Sequence, residues 1–232
     1  MGCDIHLVVQ AKRDGKWLDV PCEDPSAWRP SRWWDGRCYD AFAILANVRN
    51  GEGFAGVETG ECLIPIAGKD TRGFPADFQL THGDFHGPVT KDEDGQVDHG
   101  FWMGDHSSHW LLFSELLDYP HWNKVRTKVG VVEAKLYKRA FAGRNLRPND
   151  GPHSYCGGIS GPRVVVMSEM EFMQLGDAAP VHDDAYVRMR WPQTYWYSAG
   201  GLFSHLIPQL SVWSYQNNVL PQDIRLVMGF DS

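Results

Sequence analysis

Apolar and polar side chains alternate through DIHLVV at residues 4–9. In an extended chain Asp4, His6 and Val8 fall on one side, and Ile5, Leu7 and Val9 on the other. The pattern predicts a strand over 4–12 whose Ile5, Leu7 and Val9 side faces the core. Arg13-Asp14-Gly15-Lys16 carries the Asp-Gly hairpin signal, so WLDV at 17–20 runs back beside it. Residues 21–36, rich in Pro, Trp and Arg, read as an irregular loop. Over 38–48 the period becomes helical, with Tyr39, Phe42, Ala43 and Ala46 on one stripe and Asn50-Gly51 as the stop. Residues 51–100 are the least periodic part of the chain, and Pro75 opens a single helical turn, PADF.

Further on, a short strand is expected near 109–113, with a helical turn from Ser114. Lys128–Phe141 joins strand-like valines to a basic segment and leaves strand and helix both open. PRVVVM at 162–167 reads as a strand. Ser168-x-x-Glu171 is a capping box that should start a short helix ending at Gly176. YVRMRW at 186–191 alternates as a strand. Residues 199–217 read as an amphipathic helix with Leu202, Leu206, Leu210 and Trp213 on one side, kinked at Pro208. DIRLVMGF at 223–230 is the final strand. Strands at both ends, three or four helices, and no regular βαβ period or repeat predict an α+β fold. The expectation is one domain, 1–232, with a mixed, mainly antiparallel sheet, packed helices and a long irregular central segment.

Composition narrows the function. A chain of 232 residues with 43% hydrophobic positions can bury a sizeable core. The ten Trp imply either a well-filled core or a site for a flat ring. A net charge of −7 argues against sequence-independent binding of duplex nucleic acid. It leaves room for a small anion held by a local arginine cluster. The five Cys, at 3, 22, 38, 62 and 156, are odd in number and form no C-x-x-C pair. A disulfide framework is therefore not expected and a reducing cytoplasm is. No apolar run reaches about 18 residues, so no membrane partner is expected. No signal-peptide pattern precedes the first charge. Gly2 lacks the Ser or Thr that myristoylation wants where His6 stands.

Four constellations could carry chemistry. Asp4-x-His6 places a carboxylate and a neutral imidazole on one strand face, a donor pair suited to one divalent ion, zinc or manganese. The plainer reading is a solvent-facing polar pair. Gly104-Asp105-His106-Ser107-Ser108-His109 offers two imidazoles for general acid–base work and an Asp to orient one of them, flanked by Trp102 and Trp110. The plainer reading is a self-capped turn. His82-x-Asp84-x-His86, with His99 further on, aligns three polar groups but lies in a Gly-rich segment beside Lys91-Asp92-Glu93-Asp94-Gly95, which favours a solvated loop. Finally, Arg29, Arg32, Trp33, Trp34 and Arg37, with Arg49 and Arg72 elsewhere, combine guanidinium forks with indole rings as a nucleotide site would. Arginines paired with surface acids, over core tryptophans, would look the same. No Walker phosphate loop, dinucleotide fingerprint, H-E-x-x-H or G-x-S-x-G is present. Gly157-Gly158-Ile159-Ser160-Gly161 precedes a strand instead of following one.

MGCDIH, the Y-x-x-F-A-x-L-A-x-V-R-N helix (Tyr39 to Asn50), R-G-x-P (Arg72 to Pro75), the G-D-H-S-x-x-W block (Gly104 to Trp110) and the closing IRLVMGFD strand resemble a family of bacteriophage and bacterial proteins without an assigned activity. The likeness spans most of the chain. It implies no catalytic residue. It implies a phage-type accessory protein in the bacterial host cytoplasm, by analogy one that counters a defence signalling through small nucleotides. The expected function is hydrolysis of a phosphodiester in a nucleotide-derived molecule. His106, His109 and Asp105 would be catalytic, Asp4 and His6 would hold the ion, and Arg32, Trp33, Arg49 and Arg72 would bind the ligand. One alternative is a non-catalytic sponge for a nucleotide signal. Another is a protein–protein inhibitor of a host factor. A homo-oligomer is compatible with any of these.

Overall fold

The computed structural model describes residues 2–20, 33–34, 36–78, 90–91, 97–98, 103–153 and 155–231. Its first elements are β1 (Asp4–Arg13) and β2 (Lys16–Asp19), an antiparallel hairpin. Asp14 and Gly15 turn it with φ of 49° and 77°, the left-handed pair that a two-residue turn demands. Ile5, Leu7 and Val9 are buried while Asp4, His6 and Val8 are half-buried, as the alternation predicts. Helix α1 (Tyr39–Ala46) is buried from Asp40 to Ala46, all round instead of along a stripe. It stops at Asn47, in the left-handed conformation (φ 58°), before Asn50-Gly51 is reached. PADF forms a turn closed by the Phe78 N–H on Pro75 O (2.9 Å) and not a helical turn. β3 (Thr90–Lys91) and β4 (Val97–Asp98) pair antiparallel. β5 (His106–Leu112) runs straight into α2 (Phe113–Leu117). The block read as a turn-borne histidine cluster is therefore mostly strand.

The undecided segment holds both elements: β6 (Val125–Glu133), then α3 (Ala134–Ala140). β7 (Val165–Ser168) leads into α4 (Glu169–Leu175), where Ser168 Oγ accepts from the Glu171 N–H and Glu171 Oε2 accepts from the Ser168 N–H (2.7 Å). That reciprocal pair is the capping box read from the sequence, and the helix ends at Gly176. β8 (Ala185–Thr194) is followed by α5 (Tyr195–Ser198). β8 pairs antiparallel with β6 and parallel with β7, giving the order β6-β8-β7. Tyr137, Phe172, Val187, Met189 and Trp191 lie in the core over this sheet.

The helix expected over 199–217 is interrupted. Residues Leu202–Leu206 are π-helical, and α6 (Ile207–Gln216) follows with Pro208 in its first turn. Proline lacks the N–H that a continuous α-helix would use there, so the chain absorbs an extra residue instead of merely bending. Leu202, Leu206 and Leu210 are nevertheless fully buried. β9 (Ile224–Asp231) closes the chain. It lies between β1 and β5, antiparallel to both, in the sheet β2-β1-β9-β5.

The fold is α+β: the described residues form a four-stranded antiparallel sheet, a three-stranded mixed sheet and the small β3–β4 pair. The chain divides into two compact units, Met1–Val48 with Ile64–Pro120 and Ala199–Ser232, and Arg49–Leu63 with His121–Ser198. No described helix is long and apolar enough to cross a membrane.

Candidate functional site

Directly opposed residues in an antiparallel sheet project to the same face. In the four-stranded sheet, Lys12 pairs with Trp17, Gln10 with Arg225, and Arg225 with Leu112. Parity therefore sets Trp17, Lys12, Arg225, Leu112 and Trp110 on one face, drawn from all four strands. Above them is a cavity of about 670 Å³, also lined by Arg72, Phe74, Asp77 and Asp223. The Arg225 guanidinium lies 4.4 Å from the centre of the Trp17 ring, and that of Arg72 lies 5.1 Å from the centre of Trp110. Lys12 Nζ is 5.9 Å from the Trp17 centre. Two indoles and three cations thus converge on one cleft, and a ring-bearing anion would meet both kinds of partner there.

Arg225 is the central group. It is the one cation of the middle strand, and its side chain is only 3% exposed. Nε donates to Gln10 Oε1 (2.9 Å) and Nη1 to Asp77 Oδ1 (2.7 Å), while Nη2 is buried and has no hydrogen-bond partner among the described residues. A buried charged donor left unmade is costly.

Among the described strands β5 lies at the edge of this sheet, and Arg72 bonds to it along that edge. The Arg72 guanidinium grips Glu115 with two bonds (2.8 and 2.6 Å) and reaches Trp110 O (3.3 Å). Glu115 Oε2 also accepts from the Leu112 N–H (2.8 Å). The bond from Arg72 holds the Glu115 carboxyl below its usual range, against the opposing effect of burial. The Arg72 backbone N–H donates to Nδ1 of His109 (2.8 Å), which is 1% exposed. Burial first, and then the charge of Arg72, push His109 down to about 4. At neutral pH it is an uncharged core imidazole tying the loop to the sheet. The general acid–base role expected of His109 would have to use a ring whose Nδ1 is already engaged by the Arg72 N–H.

Register also separates the two polar clusters that were expected to meet. His6 opposes Gly229, whereas His106 opposes Phe230 and His109 opposes Met228, and the residues of β9 alternate sides. Asp4 and His6 therefore share one face while His106 and His109 occupy the other. His106 stacks on Phe230, with centroids 6.3 Å apart, and its Nδ1 sits 2.9 Å from Ser107 Oγ. Asp105 Oδ1 is 3.9 Å from His106 Nε2, and the Asp105 backbone N–H donates to Phe230 O. Asp4 gives both carboxylate oxygens to Arg37 (2.6 Å each), and His6 Nε2 lies 3.3 Å from Asp231 Oδ2. The Asp4 oxygens expected to hold zinc or manganese are thus both engaged by Arg37. Among the described residues no three His, Cys, Asp or Glu converge as a metal site.

Of the expected ligand-binding residues, Arg72 lines the cleft. Trp33 does not: it is a core ring, donating Nε1–H to Val20 O (2.8 Å) and meeting Trp213 edge-on at 6.4 Å. Trp34 packs edge-on against Phe42. Arg49 belongs to the other unit, at a left-handed position (φ 53°). Arg29, Arg32, His82, Asp84, His86, His99 and Trp102 lie outside the described residues. Lys12, Trp17, Asp77 and Arg225 were not singled out from the sequence. Hairpin register would have found the first two, and a lone Arg inside DIRLVMGF the last.

Comparison of the chain with protein-family models, curated proteins and solved structures finds no match.

Proposed function

We propose that this protein captures a small, ring-bearing anion of the nucleotide type in the cleft over Trp17 and Trp110, without chemical conversion. The observation that carries the reading is the convergence of two indoles with Lys12, Arg72 and Arg225 around one cavity of about 670 Å³. Stacking on an indole supplies affinity for any base, and a guanidinium supplies the anion contact. Tight capture requires no proton carrier, and the buried, uncharged His109 is consistent with that. With the resemblance to phage proteins, such capture would withdraw a nucleotide signal in the bacterial cytoplasm.

Incubation with a panel of cyclic and linear nucleotides, with and without EDTA, followed by chromatography, tests this. Intact ligand should be recovered from the heated protein, EDTA should change nothing, and Trp17→Leu should release the ligand. New products lost with His106→Ala would restore the hydrolytic reading. No retained ligand would favour a protein–protein role.

A further inference from the structure

We propose that the Asp77 carboxylate stands in for a ligand's terminal phosphate at Arg225, and that the cleft therefore selects phosphomonoesters over phosphodiesters. This rests on the cleft reading above and adds the class of anion to it.

Three neighbours fix the guanidinium. Gln10 Oε1 accepts from Nε, and the Gln10 amide is itself oriented by donating Nε2–H to Asp19 Oδ1 (2.6 Å). Trp17 covers one face of the guanidinium. Asp77 accepts from Nη1 with a single oxygen. The fork formed by Nη1 and Nη2 matches two oxygens of one anion, so Asp77 uses half of it and leaves Nη2 unmade.

The two partners differ in what it takes to move them. The Asp77 side chain is 62% exposed and sits in the Pro75–Phe78 turn, whereas Arg225 is anchored in the middle strand. Asp77 can swing into water and be solvated there, and Arg225 cannot follow. An incoming phosphate then takes Nη1 and Nη2 together. Lys12, which lines the same cavity, offers an ammonium to a third oxygen.

The charge of the ligand decides whether the exchange is favourable. Asp77 is tethered, so the incoming anion competes with a carboxylate at high effective concentration. Asp223 also lines the cleft and opposes any anion. A diester brings one negative charge and two free oxygens, no more than the carboxylate it displaces. A monoester at neutral pH brings about −1.5 to −2 charges and three acceptor oxygens.

Calorimetric titration of the whole chain with the nucleoside 5′-monophosphates and their 3′,5′-cyclic diesters tests the inference. The best monoester should bind about tenfold more tightly than its cyclic diester. Asp77→Asn, which keeps the turn and a neutral acceptor but removes the competing charge, should tighten binding about fivefold. Arg225→Gln should abolish the preference between the two esters. A diester that binds as well as the monoester overturns the selectivity, and Asp77→Asn binding no tighter than wild type overturns the stand-in role. Both comparisons hold whether or not Arg225→Gln folds, and in both the cleft reading survives. If no nucleotide of either series binds, the cleft reading itself falls.

Discussion

The Arg72 backbone N–H donates to Nδ1 of His109 at 2.8 Å, so the imidazole must carry its proton on Nε2. Nε2 is buried without a hydrogen-bond partner among the described residues. A second proton would abolish the accepted bond and place a charge in the core. The folded protein holds His109 at about 4, against 6.5 for the free side chain. Below 6.5 the unfolded chain therefore binds more protons than the folded one. Stability should fall as pH drops from 6.5 to 4, by up to about 3 kcal/mol. His109→Gln keeps an acceptor for the Arg72 N–H and has nothing to titrate. Its urea midpoint should be level across that interval where the wild type declines, and parallel curves would refute the assignment. The Glu115 carboxyl, held below 4.5, adds a loss of the same sign that begins only as pH falls through about 4.5.

The strand pairing around His106 depends on two glycines. A Cβ at Gly229 would lie 1.7 Å from Met103 O, and one at Gly104 would lie 2.2 Å from Phe230 O, with φ at +83° as well. Backbone meets backbone at both points, so no side chain can give way. Gly229→Ala or Gly104→Ala should each cost about 3 kcal/mol or more. Gly15→Ala is the contrast: its Cβ meets nothing within 4 Å, and only the φ of +77° is strained. Its loss should be about 1 kcal/mol. Denaturant unfolding of the three variants separates clash from strain.

If the cleft stacks a base, the two indoles that line it are the reporters. Trp110→Leu should weaken nucleotide binding about tenfold or more, the usual worth of one base–aromatic stack. Trp33→Phe, which alters a core ring sealed against Trp213, should lower stability and leave affinity alone. Affinity that follows Trp33 instead of Trp110 would move the site.

What the chain reveals by itself divides along physical lines. The hairpin, the capping box at Ser168 and the strand faces of β1 are local, set by turn chemistry and side-chain period, and they stand in the structure as read. The π-helical stretch before Pro208 is a tertiary accommodation, and the one-sided stripe read over α1 gives way to burial on all sides, which its packing neighbours decide. The cleft was hidden because Trp17, Arg225 and Asp77 are brought together by strand order. Strand order is not encoded in any window of sequence. The supposed union of His6 with His106 failed for the same reason. His6 stands in a strand as read and His106, read in a turn, opens β5, but β9 lies between those strands and its parity turns the two rings to opposite faces.

That separation makes a quantitative prediction. If Asp4 and His6 formed one site with His106, removing one partner would change the worth of the other. With the rings on opposite faces, each packs against its own neighbours: His6 on Asp231, His106 on Phe230 and Ser107. In a double-mutant cycle of His6→Ala and His106→Ala, the losses of unfolding free energy should add to within about 0.5 kcal/mol. The cycle is best run at low salt, where charge coupling through solvent is largest and additivity hardest to achieve. A coupling above about 1 kcal/mol would mean that the two groups do communicate, and would return the shared site to consideration.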